Sequence, residues 1–235
     1  MTNHTDRAAP FVIVFGNEFL HPPSYHRRTS MKGTYERGAR RYDAVSGERQ
    51  VYRRGRVAGI DILGLGEGDT VLDVGCGTGL NFPLLVDAVG ATGRVIGLDR
   101  SPGMLQMARR RIDSNNWSNV TLVQADATQF SAVDLEVDHV DAVFATYSLS
   151  LMTDWRAAWE RMAEVLRPGG RAGIVDMQLP TGAAVFFAPL ARLACWMGGS
   201  DIDAHPWTVL RESSRDLRQV TVRGGHIVAA AATIP

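Results

Sequence analysis

The chain has 235 residues, 45% hydrophobic and 21% charged, with 25 Lys and Arg against 25 Asp and Glu. This composition suits one globular domain with a full core, and a net charge of zero favours no nucleic-acid partner. Two cysteines, Cys76 and Cys195, are too few for a disulfide framework or a cysteine-based metal site, so a reducing, cytoplasmic setting is expected.

Residues 1–30 mix His, Pro, Arg and Thr without a sustained period, and His21-Pro22-Pro23 blocks helix. They read as a flexible N-terminal extension, with the ordered body starting near Met31. Phe11 to Phe15 is too short for the apolar core of a signal peptide. Residues 33–47 read as a helix with Tyr35 and Tyr42 on one face, and residues 50–63 as a second helix carrying Arg53, Arg54 and Arg56. Together, residues 31–63 are expected to form a helical lid.

Val71-Leu72-Asp73-Val74 is an apolar, β-branched run that breaks into Gly75-Cys76-Gly77-Thr78-Gly79. Apolar residues then resume at helical spacing from Leu80. The pattern is strand, glycine loop, helix, and such a loop lets a ligand lie against bare backbone at a helix N-terminus. Residues 95–99 form a second strand ending in Asp99. Ser101-Pro102 opens a helix as N-cap and first residue. Residues 120–123 and 140–145 are a third and fourth strand, followed by Asp126-Ala127 and Tyr147. Residues 154–166 read as a helix stopped at Pro168-Gly169-Gly170, and residues 171–176 as a fifth strand.

Residues 178–210 hold Phe186, Phe187, Leu190, Leu193, Trp196, Met197 and Trp207. Their longest apolar run, 183–199, is interrupted by Pro189 and Arg192 and is short for a membrane span. It reads as a buried or substrate-covering helix, a cap over a cleft, with peripheral membrane contact as the lesser alternative. Residues 217–222 and 226–232 flank Gly224-Gly225 as a hairpin. The expected fold is α/β, Rossmann-like and doubly wound: a mostly parallel seven-stranded sheet with an antiparallel C-terminal hairpin. Ligands bind such sheets at the carboxyl ends of the strands, where Gly75, Asp99, Asp126, Tyr147 and Asp176 fall.

Three details bear on the ligand. Leu80 stands where a dinucleotide fingerprint wants glycine. Asp73 precedes the loop, a placement suited to an ammonium-bearing ligand. Asp99 ends the second strand, where an acid accepts ribose hydroxyls. An NAD-dependent oxidoreductase is therefore disfavoured.

Asp73-Val74-Gly75-Cys76-Gly77-Thr78-Gly79, Asp99, Asp126-Ala127 and the run Leu166 to Arg171 together resemble the class I S-adenosylmethionine-dependent methyltransferases, over roughly residues 31–235. The resemblance implies S-adenosyl-L-methionine as donor. It implies a donor site of Asp73, Gly75, Cys76, Gly77, Gly79, Asp99, Arg100, Met104, Asp126 and Ala127, with Tyr42 from the lid. Arg37, Tyr42 and Arg53 are candidates to clamp the donor carboxylate. No metal site is expected. Tyr147, Asp176 and His205 are the candidate bases, with Tyr147 and His205 preferred. The acceptor is expected to be a small apolar or lipid-like molecule. Thr146 to Trp155 is similar to the matching segment of betaine-lipid synthases of the 3-amino-3-carboxypropyl transferase type, so transfer of that group is the alternative reaction. A non-catalytic donor-binding module on the same fold is a further one.

Overall fold

A computed structural model describes residues 52–214 and 216–235. The expected lid helix at 33–47, with Arg37 and Tyr42, and the expected extension at 1–30 lie outside the described residues.

The β-branched and apolar runs pair into one seven-stranded sheet of order β3-β2-β1-β4-β5-β7-β6. The strands are β1 (Thr70–Val74), β2 (Arg94–Asp99), β3 (Val120–Gln124), β4 (Val140–Thr146), β5 (Leu166–Met177), β6 (Arg218–Val222) and β7 (Ile227–Thr233). The first five run parallel, while β7 pairs antiparallel with both β5 and β6. The helices are α1 (Arg53–Leu63), α2 (Phe82–Val89), α3 (Pro102–Asn115), α4 (Ala132–Leu135), α5 (Trp155–Val165), α6 (Ala188–Gly198) and α7 (Thr208–Ser213).

The period-2 alternation of each strand feeds two cores. Leu72, Val74, Ile96, Leu98, Val143 and Ile174 pack against Ala158, Trp159 and Met162 of α5 and Leu210 of α7. Val71, Val95, Phe144 and Val175 pack on the other face against Leu63 of α1, Leu85 of α2 and Ala108 and Ile112 of α3. Ser101 caps α3 by accepting from the Met104 N–H at 3.3 Å, and Asp154 caps α5 by accepting from Ala157 at 3.1 Å. Both capping acceptors satisfy a donor the helix leaves over.

Two expectations need correction. β5 begins at Leu166, not Arg171. Pro168-Gly169-Gly170 does end the helix, but the chain stays extended: the register skips between Val140↔Leu166 and Ala142↔Arg171, and Gly169 N–H bonds to Ile234 O at 2.9 Å. The apolar run 183–199 is also not a buried helix. It forms a 3₁₀ segment (Gly182–Phe187), then α6, in which Cys195 is the buried residue. Most of its large apolar side chains are exposed. Trp207, Val209 and Leu210, which follow, do join the core. Among the described residues, no helix is long and apolar enough to cross a membrane.

The strand order reverses at β1, which lies between β2 and β4. The carboxyl ends of these strands therefore diverge around an opening.

Candidate active site

The glycine loop turns sharply as it leaves β1. Gly75 and Cys76 N–H both donate to Leu98 O, at 2.8 and 3.0 Å, which pins the loop to β2. Gly75 has φ +70, and a Cβ there would stand 2.5 Å from Ser148 Cβ. Gly77, at φ +56, would put a Cβ into open space, on the cleft side. Both positions lie in the left-handed region that favours glycine.

Asp99 closes the loop from below. Its Oδ2 accepts from Gly77 N–H at 2.9 Å and its Oδ1 from Ser101 N–H at 2.8 Å. Burial raises the Asp99 carboxyl above its ordinary value, against these hydrogen bonds and the charge of Arg100, which lower it.

Around the loop lies a cleft of about 690 Å³. One end is lined by Gly77, Asp99, Arg100, Met104, Asp126 and Ala127. The other is lined by Arg56, Tyr147, Leu151, Met152 and Gly199. This size and mixed lining suit a small-molecule site.

Behind the loop is a polar chain. Asn81 Nδ2 donates to Asp73 Oδ1 at 2.8 Å and to Thr146 Oγ1 at 2.9 Å. Arg56 donates to Asn81 Oδ1 and Thr146 Oγ1, each at 2.9 Å. Asp73 is wholly buried, and its Oδ2 lacks a hydrogen-bond partner. Desolvation pushes its carboxyl up to about 7, against the lowering effects of Asn81 and Arg56.

Known proteins bear on this geometry. A family described as "Methyltransferase domain" matches residues 71–170. The chain is 33% identical over 159 residues to the 2-phytyl-1,4-naphtoquinone methyltransferase of Thermosynechococcus vestitus, covering 67% of this chain and 68% of that one. The chain belongs to the class I S-adenosylmethionine-dependent methyltransferases. It is also 35% identical over 114 residues to the demethylmenaquinone methyltransferase of Oceanobacillus iheyensis, of which it spans 47%. A crystal structure of an S-adenosylmethionine-dependent methyltransferase from Aquifex aeolicus shares the fold at TM-score 0.62 and 19% identity, covering 85% of this chain and 98% of that one.

In this methyltransferase, Gly75, Cys76, Gly77, Asp99, Arg100, Met104, Asp126 and Ala127 all line the cleft. Gly79 does not: at φ +77 it packs on Phe82, whose ring would lie 2.5 Å from an added Cβ. Asp73 does not reach the cleft surface either, because it is buried behind the loop.

The candidate bases fare unevenly. Tyr147 lines the cleft at φ +53, and its hydroxyl donates to Tyr52 O at 2.9 Å. His205 does not line the cleft; its ring packs on Trp207 with centroids 5.0 Å apart. Asp176 is buried and serves as a strut. Its carboxylate accepts from Ser150 N–H and Oγ at 3.1 and 2.7 Å and from Met177 N–H at 2.9 Å. Burial pushes its carboxyl up to about 6, against those bonds.

Arg53 is exposed at the start of α1 and does not line the cleft, whereas Arg56, one turn on, does. The sequence reads Arg53, Arg54 and Arg56 together as a basic, solvated face, which holds for the exposed Arg53 and Arg54 but not for Arg56. The signal that separates them is burial of the small residues beside Arg56: Gly55 lies under Tyr147 and Gly59 against Val175 and Phe144. Ser148 was likewise missed. It is buried, donates to Val74 O at 2.8 Å and closes the underside of the loop. Among the described residues, no group of acids, histidines and cysteines is placed to hold a metal.

Proposed function

We propose that this methyltransferase moves the methyl group of S-adenosylmethionine to a ring carbon of a small apolar quinol. The observation that carries the reading is the two-ended cleft at the β1–β4 divide: acidic and glycine-lined at one end, bounded by Tyr147, Leu151 and Met152 at the other. The names of the relatives, methyltransferases of naphthoquinones and demethylmenaquinone, give the acceptor class.

The residues present fit the donor. A carboxylate offers about four lone-pair sites, and Asp99 uses two on Gly77 and Ser101. The remaining two suit paired ribose hydroxyls. Asp126 Oδ1 accepts from Thr128 N–H and Oγ1, which leaves Oδ2 to the adenine amino group, with Met104 and Ala127 against the base. Gly77 gives a bare backbone for close approach, and its open Cβ position is where the donor would lie. Arg56 supplies positive charge for the donor carboxylate. Asp73 sits one layer back and acts through Asn81 and Arg56, balancing the guanidinium rather than touching the ligand.

The bound donor supplies an electrophilic methyl group on a sulfonium, with a neutral thioether as leaving group. The protein's part is to align and to exclude water. Tyr147, held by Tyr52 and lying under the Arg56 guanidinium at 5.2 Å from its ring centroid, forms a rigid wall at the acceptor end. Among the described residues the two preferred bases are thus engaged or elsewhere, which favours an acceptor that brings its own activation. A quinol does this: its hydroxyl proton passes to water, the neighbouring ring carbon takes the methyl group as the neutral thioether leaves, and the proton on that carbon is then lost as the quinol regains its aromatic ring.

The test is turnover of methyl-labelled donor with short-tailed naphthoquinols. The expected products are S-adenosylhomocysteine and a ring-methylated quinol in equal amounts. Methylthioadenosine as coproduct would mean aminocarboxypropyl transfer and would overturn the reading, as would label on oxygen.

A further inference from the structure

The 3₁₀ segment and α6 carry an apolar surface that nothing in the described fold covers. Phe186 and Trp196 are 86% and 76% exposed, and Val185, Phe187, Leu190, Leu193 and Met197 are also largely in water. Single exposed apolar residues are ordinary; seven in one thirteen-residue run mark an interaction surface. The geometry points to a lipid bilayer as its partner, with α6 lying in the interface and the cleft opening toward the membrane. This rests on the acceptor reading above, since a lipid-borne quinol would be met at such a surface.

Three observations choose the bilayer over another protein. The first is charge. Residues 177–200 contain no Asp or Glu and one Arg, and residues 217–235 contain no acid either. Basic side chains are exposed beside the patch. Arg223 sits in the β6–β7 turn, which bonds to the 3₁₀ segment through Thr181 N–H and Gly224 O at 2.9 Å. Arg53 and Arg54 are exposed next to Tyr52, which packs on the Met177, Cys195 and Ile202 cluster under α6. Arg192 is held by Asp203 at 2.8 Å, so that acid is already matched, which leaves Asp201 as the exposed acid directly after α6. A rim richer in arginine than in acid complements anionic headgroups.

The second is shape and composition. An eleven-residue helix cannot span a bilayer, but aromatic and aliphatic residues on one side of a short helix suit insertion at the headgroup level. The third is attachment to the cleft. Ser200 N–H bonds to Cys195 O at 2.9 Å, Ser200 Oγ meets Ser150 Oγ at 2.7 Å, and Asp201 N–H bonds to Ser150 O at 2.8 Å. Gly199 and Leu151, on either side of this junction, line the cleft. The C-terminal end of α6 is thus fastened to the acceptor end of the site.

The experiment is sedimentation of the full chain with vesicles of equal parts phosphatidylcholine and phosphatidylglycerol, and with phosphatidylcholine alone. The wild type is expected to pellet with the mixed vesicles. Phe186→Ser with Trp196→Ser should weaken this by roughly a hundredfold or more, since each buried aromatic is worth about tenfold or more. Arg223→Glu should weaken binding to the mixed vesicles alone. In parallel, methylation of a water-soluble short-tailed quinol should be unchanged in the double variant and methylation of a long-tailed quinol in vesicles should fall. Equal sedimentation of wild type and double variant, or a concentration-dependent dimer or an N-terminal segment that shields Trp196 from quenchers without lipid, would overturn the docking surface. Vesicle binding with no methylation of either quinol would instead sink the acceptor reading and leave the surface standing.

Discussion

At the scale of single residues, three carboxylates on the parallel strands do different work. Asp99 is half-buried at the cleft, with both oxygens already on backbone N–H groups. Replacing it with alanine removes charge-assisted acceptors and slackens the Gly77 turn together. Asp99→Ala is therefore expected to cost about 2–3 kcal/mol of S-adenosylhomocysteine affinity by calorimetry, with the fold retained; unchanged affinity would remove its assigned role. Asp73 and Asp176 are buried, with carboxyls pushed up to about 7 and about 6 by desolvation. A carboxyl raised in the folded state holds its proton more tightly there than in the unfolded chain. Its contribution to stability is full below about pH 4 and is lost as pH rises through 6 to 7. The melting temperature of the ligand-free protein is expected to fall over that window, and Asp73→Asn to flatten the fall. A wild-type melting temperature that rises steadily from pH 4 to 7 would contradict this.

What the sequence revealed about these acids follows from the same physics. Asp99 was readable because it ends a strand next to a glycine loop, and both features are local. The duty of Asp176 was not readable. It depends on Ser150, 26 residues away, arriving opposite it on a 3₁₀ turn. Asp73 is legible in the sequence as an acid inside a strand, but its burial behind the loop is not. Which side of the loop it would occupy depended on Asn81, eight residues on across the glycine loop, and through it on Thr146 of β4, too distant in sequence for periodicity to reach.

At the scale of elements, the glycine loop separates two roles that its spacing presents as one. Gly75 is squeezed against Ser148, while Gly77 faces open space. Gly75→Ala should cost several kcal/mol in chemical denaturation, since a backbone strain and a buried clash add. Gly77→Ala should cost about 1–2 kcal/mol from φ alone, yet lose donor affinity because its methyl takes space in the cleft. Equal stability losses in both variants would show that the loop is not held as described. The apolar run 183–199 was legible as an apolar element. Its exposure was not, because a run of apolar residues reads the same whether it faces a core or a lipid surface.

At the scale of the whole molecule, alternation of strands and helices up to β5, with a hairpin after it, was enough to give the sheet, its direction of pairing and the edge at which the cleft opens. The β5 start and the register skip beside it were missed because Pro and Gly report what they forbid, helix, more clearly than what they permit. The central claim is that this edge forms one S-adenosylmethionine site, with donor and acceptor ends in a single cleft. A calorimetric titration of the full chain with S-adenosylhomocysteine tests it most directly. Saturable one-to-one binding is predicted, strongly weakened in Asp99→Ala and Gly77→Ala and retained in the Phe186→Ser, Trp196→Ser variant. The absence of binding to the wild type, or binding indifferent to Asp99 and Gly77, would contradict it.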